Sequence, residues 1–237
     1  MTTHEIIKWP ASAAKLTGFM FLFVNLVYIG HMMITGSIVI PGDVSQTARN
    51  IVENEALFRI NIGTRIVTTA GGILLALALY ILLKPVNKNL ALVALGWRFA
   101  EAVLGGAHAS ADFFVLYLLS GAEYMSAFAG EQINALAKIF LIRQYGGLYI
   151  SIILSCCGAL IFNYLFYKSR YIPKNMALFG ILATILALVC TFGFVLLPDA
   201  PGSLQLGYAP IFLYETTLAL WLLIKGVDSS IHSEHKR

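Results

Sequence analysis

The sequence predicts an all-α polytopic membrane bundle of six transmembrane helices, with two amphipathic interfacial helices in its outer loops. Three observations predict it. Of the 237 residues, 59% are hydrophobic and only 12% are charged, against about 25% charged in a soluble domain. A soluble chain has too much surface for its volume to hide that much apolar area. Six runs, 16–40, 60–83, 90–118, 145–167, 176–197 and 204–225, reach the roughly 20 apolar residues that a helix needs to cross the hydrocarbon core. None shows the period of two expected of an outer-membrane barrel strand, and in lipid a helix satisfies its own backbone. The chain, 1–237, reads as a single integral membrane domain.

The first span follows Lys8, Trp9 and Lys15. Its apolar run is longer than the roughly 7–15 residues of a signal-peptide core and has no small-residue cleavage site, so it is expected to stay as a helix. Residues 44–58 put Ala48, Ile51, Val52 and Leu57 on one side of the first interfacial helix. The second span carries Gly71-Gly72 and ends at Lys84-Pro85. The third opens at Lys88-Asn89 and contains Trp97 and Gly105-Gly106. These glycines let helices approach closely. Residues 121–142 form the second interfacial segment, with Met125, Phe128, Ile133, Leu136 and Phe140 on one side. Such helices lie in the interface plane. The fourth span contains Cys156, Cys157 and Asn163, the last suited to hydrogen-bonding across helices. The fifth follows Pro173 and contains Cys190, and the sixth ends at Trp221 and Lys225. The cysteines match no zinc or disulfide spacing and read as packing residues.

Orientation follows from lysines and arginines near the span ends. With a cytoplasmic N-terminus, the inner side holds ten: Lys8, Lys15, Lys84, Lys88, Lys168, Arg170, Lys174, Lys225, Lys236 and Arg237. The outer side holds four, Arg49, Arg59, Lys138 and Arg143. Both termini are therefore expected in the cytoplasm, with the protein in the plasma membrane. The pI of 8.9 reports this bias, not nucleic-acid binding. Lys88-Asn89-Leu90-Ala91-Leu92 and Lys174-Asn175-Met176-Ala177-Leu178 repeat at an offset of 86 residues, as duplicated helical hairpins would.

Charges at membrane depth carry the chemistry, because each costs roughly 3 kcal/mol to insert and needs a partner or a wet cavity. In the third span Arg98, Glu101, Gly105, His108 and Asp112 follow steps of 3, 4, 3 and 4, one stripe of one helix face. Arg98 lies about 15 Å beyond Lys88, near the midplane. Glu215 stands ten residues before Lys225, at matching depth. Arg65 and His31 fall in the outer halves of their spans. The set Arg65, Arg98, Glu101, His108, Asp112, Glu215 and His31 fits two readings, an ion-pair network or an outward-facing pocket. Arg98 is the sharpest candidate for an anionic ligand, because a guanidinium grips carboxylate or phosphate bidentately. Glu101 and Glu215 are the candidate acids of a membrane enzyme. His31, His108 and Asp112 have metal-ligand chemistry, but nothing in the sequence sets His31 against the third span, so no metal or other cofactor is expected.

Several segment ends carry a resemblance. They are Ile40-Pro41-Gly42-Asp43 with Leu57-Phe58-Arg59, then Leu83-Lys84-Pro85-Val86-Asn87-Lys88, then Leu119-Ser120-Gly121 with Ser126-Ala127-Phe128. Tyr167-Lys168-Ser169 and Ala219-Leu220-Trp221-Leu222-Leu223-Ile224-Lys225-Gly226 complete the set. In this order the chain resembles the bacterial and archaeal family called domain of unknown function 4386, over nearly its whole length. The resemblance implies six-helix architecture and supplies no reaction.

Three functions fit. The first is binding or transport of a small anionic or amphiphilic molecule. The second is a membrane-embedded enzyme acting on a lipid or isoprenoid-like substrate, and the third is an accessory subunit of a membrane complex. Binding or transport ranks first because six helices and a polar stripe require no further assumption. The lipid bilayer is the one partner the composition demands, and the oligomeric state is left open.

Overall fold

The computed structural model describes residues 3–119, 130–197 and 199–227. The described residues form α1 (Thr3–Ile38), α2 (Val44–Glu53), α3 (Glu55–Leu83), α4 (Lys88–Leu119), α5 (Gly130–Ser169), α6 (Lys174–Leu196) and α7 (Ala209–Ile224). A short 3-10 helix, Gly202–Tyr208, leads into α7. Six stretches are long and apolar enough to cross a membrane: Ser12–Ile38, Glu55–Leu83, Lys88–Leu119, Gly146–Ser169, Lys174–Leu196 and Gly202–Ile224. This is a multi-pass membrane protein.

Local chemistry sets the helix ends. Asp43 caps α2 by accepting from Gln46 N at 2.8 Å, and Asn87 accepts from Leu90 N at 3.0 Å in the first turn of α4. Either interaction satisfies an amide that the helix itself leaves unpaired. Proline enters where its missing N–H costs nothing, with Pro173 just before α6 and Pro210 in the first turn of α7. The two Lys-Asn repeats open α4 and α6, and Ala91 and Ala177 within them are both fully buried.

The six long helices close into a ring. Chain neighbours α3, α4, α5, α6 and α7 pack in sequence, and α1 lies between α3 and α7. Around the turns at 84–87 and 170–173 an apolar core draws from all six, including Phe21, Leu82, Ala91, Phe166, Ala177 and Leu222. At the opposite end Ile38, Ile51, Phe58, Ile62, Val115 and Leu116 form a second cluster under α2. The polar residues of α4 sit between the two apolar clusters.

The interfacial helix α2 is shorter than the 44–58 reading, since the chain turns at Asn54 and Leu57 already belongs to α3. Its buried face is Thr47 and Ile51, while Val52 is exposed. Hydrogen bonds fasten it to the end of α1: Asn50 Nδ2 donates to Ile38 O at 2.9 Å, and Ile40 N donates to Thr47 Oγ1 at 2.9 Å. The second interfacial segment lies partly outside the described residues. Its described part, from Gly130 onward, runs without a break into the long helix α5.

Candidate functional site

The stripe on α4 turns toward two neighbours. Near the middle of the bundle the Arg98 guanidinium pairs with Glu101 Oε2 at 2.8 Å and donates to the Ser155 hydroxyl on α5. Gly158 makes room for its stem. A Cβ there would meet Arg98 Cγ at 3.0 Å and Ala94 O at 3.1 Å. From α7, Glu215 joins Arg98, Phe21, Asn163 and Tyr214 around a cavity of about 30 Å³, room for one or two waters. Glu215 forms no ion pair among the described residues. Below it Tyr214 Oη donates to Asn163 Oδ1 at 2.7 Å, and Asn163 Nδ2 donates to Thr184 Oγ1 at 3.2 Å. Asn163 thus bonds across helices, tying α5 to α6 and α7.

Nearer α2 the stripe meets α3. Arg65 Nε lies 2.7 Å from Asp112 Oδ2, with the Asp112 side chain 2% exposed. Gly105 sits against Thr69, whose Oγ1 would be 2.6 Å from an added Cβ. His108 turns the other way, onto α5, where a Cβ on Gly147 would overlap its Nε2. His31 on α1 shares a hydrogen bond of 3.2 Å with Thr64 Oγ1 on α3. Close by, Asn61 Nδ2 donates to Thr35 Oγ1 at 3.1 Å.

The predicted residues therefore fall into separate groups. Arg98, Glu101 and Glu215 share one centre. Arg65 and Asp112 form a second, beside helices α3 and α4. His31 is engaged by α3 and His108 by α5, and among the described residues no three His, Cys, Asp or Glu side chains gather as metal ligands would. Of the glycine pairs, Gly71 and Gly105 take close contacts while Gly72 and Gly106 face open space. Two buried polar atoms have no hydrogen-bond partner among the described residues, Asn25 Nδ2 on α1 and Ser151 Oγ on α5.

Sequence reading missed the α5 side of the site. Gly147, Ser151, Ser155 and Gly158 follow steps of 4, 4 and 3, a stripe of small residues along one face of α5. That spacing is the signal that could have found them, because small residues let a neighbouring helix bring polar side chains close.

The family model matching residues 16–226 is described as "Domain of unknown function (DUF4386)". The chain belongs to this family. No curated protein and no solved structure matches it. The DUF4386 match takes in the six membrane-length helices almost completely, so both charged centres lie within the part that defines the family.

Proposed function

We propose that this DUF4386 protein binds a small anionic or amphiphilic molecule at Arg98, Glu101 and Glu215 and carries it across the membrane. The observation that carries this reading is Glu215, which faces the cavity it shares with Arg98 and forms no ion pair among the described residues. A charge in that setting is costly and by default signals a pathway or a ligand. Arg98 meets Glu101 through Nη1, and its guanidinium can exchange that partner for a carboxylate or phosphate gripped bidentately. Two further observations support a polar route, the unpartnered Asn25 and Ser151 atoms on helices flanking the ring interior. A cavity of about 30 Å³ is too small for an organic solute, so transport requires the helices around it to move apart.

We further propose that it works as one integral membrane domain in the plasma membrane, and the lysine and arginine bias supports an orientation with both termini in the cytoplasm. A reporter fused after Arg237 should be active on the cytoplasmic side, and activity outside would overturn that orientation.

Uptake of labelled small carboxylates and phosphate esters into proteoliposomes tests the transport reading. Flux is expected with the wild-type protein and should be lost in Arg98→Ala and in Glu215→Gln, both eluting as monodisperse protein. Flux unchanged in both variants, or none with the wild type, would overturn the proposal.

A further inference from the structure

At the basic end of the bundle, far along α5 and α7 from Arg98, the turn between α5 and α6 and the last turn of α7 enclose a cleft of about 660 Å³. Arg170, Lys174 and Lys225 line it together with Tyr171, Trp221 and Gly226. The ion pairs among the described residues involve none of these three cations. Lys225 Nζ lies 4.9 Å from the Trp221 ring centroid and Lys174 Nζ 5.6 Å from that of Tyr167, so aromatic faces hold both ammonium groups at the rim.

Two backbone features strengthen the positive field. Arg170 terminates α5 in the left-handed region, with φ 57, and donates its N–H to Phe166 O at 3.1 Å. Helix ends of this geometry favour glycine or asparagine. An arginine there is held in a strained backbone conformation, and it lines the cleft. Helix α6 begins in the same wall, and Pro173 gives it no side-chain cap, so the positive end of the helix dipole lies at the cleft. The flanks belong to the lipid. Tyr167 is 38% exposed and Ile224 78%, on the two helices that border the opening. Aromatic and basic side chains at a span end mark the headgroup level of a bilayer.

We infer that this cleft binds the phosphate of an anionic membrane lipid, with Arg170, Lys174 and Lys225 as the cations and Trp221 beside the glycerol. The acyl chains would run down the exposed apolar faces of α5 and α7. Basic recesses between helices at the membrane surface suit such headgroups, and the apolar flanks favour a lipid over a free anion in water.

The test uses the full-length protein in detergent, incubated with equal amounts of phosphatidylglycerol and phosphatidylcholine, with bound lipid read by native mass spectrometry. The wild type should retain phosphatidylglycerol preferentially. Arg170→Gln, Lys174→Gln and Lys225→Gln combined should reduce it to the phosphatidylcholine level, at about fivefold for each cation removed. Should the combined variant fail to fold, Lys174→Gln and Lys225→Gln singly should each lower retention by about fivefold. Lys84→Gln with Lys88→Gln, in the other turn at this end, should leave retention unchanged. An equal drop in that control would show a diffuse surface field and overturn the site. So would absence of any phosphatidylglycerol preference, or displacement of the lipid by millimolar inorganic phosphate.

Discussion

Among the described residues, Arg65 on α3 and Asp112 on α4 form the ion pair that joins two different helices, Nε to Oδ2 at 2.7 Å, whereas Arg98–Glu101 and Arg59–Glu55 stay within their own helices. Removing one partner of a buried pair leaves an uncompensated charge and costs about 3–5 kcal/mol. Asp112→Asn is therefore expected to destabilise by that order, read from unfolding in mixed detergent micelles. Replacing both partners, Arg65→Met with Asp112→Leu, should recover most of the loss. A single-variant cost under about 1 kcal/mol would mean the pair behaves as an exposed one.

Glycines divide by what they face. Gly147→Ala forces a methyl into the His108 ring, and overpacking of this kind costs about 1–3 kcal/mol. Gly18→Ala should behave similarly, because its Cβ would lie 2.7 Å from the Ala219 carbonyl of α7. Gly106→Ala meets nothing within 4 Å and should be neutral or stabilising by a few tenths of a kcal/mol, since alanine restricts the unfolded chain. Equal effects at Gly147 and Gly106 would contradict the packing of α4 on α5.

Tyr214 is fully enclosed, and its hydroxyl reaches Asn163 at 2.7 Å. Tyr214→Phe keeps the ring and loses one hydrogen bond, for an expected cost of about 0.6–1 kcal/mol. Asn163→Leu strands the Tyr214 hydroxyl and also removes the donor to Thr184 Oγ1, which keeps its own bond to Gly180 O at 2.7 Å, and should cost clearly more. The same unfolding assay compares the two, and the reverse order would contradict the geometry.

The central carboxylates should separate stability from function. Glu101→Gln removes the ion-pair partner of Arg98 and should cost about 1.5–3 kcal/mol, as for a hydrogen bond to a charged group. Glu215→Gln breaks no ion pair among the described residues, so its melting temperature should stay near or above that of the wild type. Under the transport proposal both variants lose flux. Loss of stability in Glu215→Gln with full flux would move that residue from the pathway to the scaffold.

Much of this arrangement was legible one helix at a time. Span positions follow from apolar length alone, and the steps from Arg98 to Asp112 put five residues on one face whatever packs against it. Counting ten residues inward from Lys88 and from Lys225 brought Arg98 and Glu215 to a common depth, and they line one cavity. Partners on other helices were not legible. The α4 stripe splits, with Asp112 and Gly105 meeting α3 while Arg98 and His108 meet α5. His31 finds Thr64 instead of the third span.

The sequence by itself determined the solvent, the number of spans and which face of each helix carries polarity, because hydropathy and the 3.6-residue period are properties of a single helix. Only the tertiary structure decided that the six helices close into a ring. It alone showed that Ser155, Gly158 and Gly147 are the surfaces receiving Arg98 and His108, and that Glu215 faces Arg98 without pairing in its helix. Helix rotation and neighbour choice in lipid are set by close packing of small residues and by hydrogen bonds between helices. Those terms exist only once two helices have met.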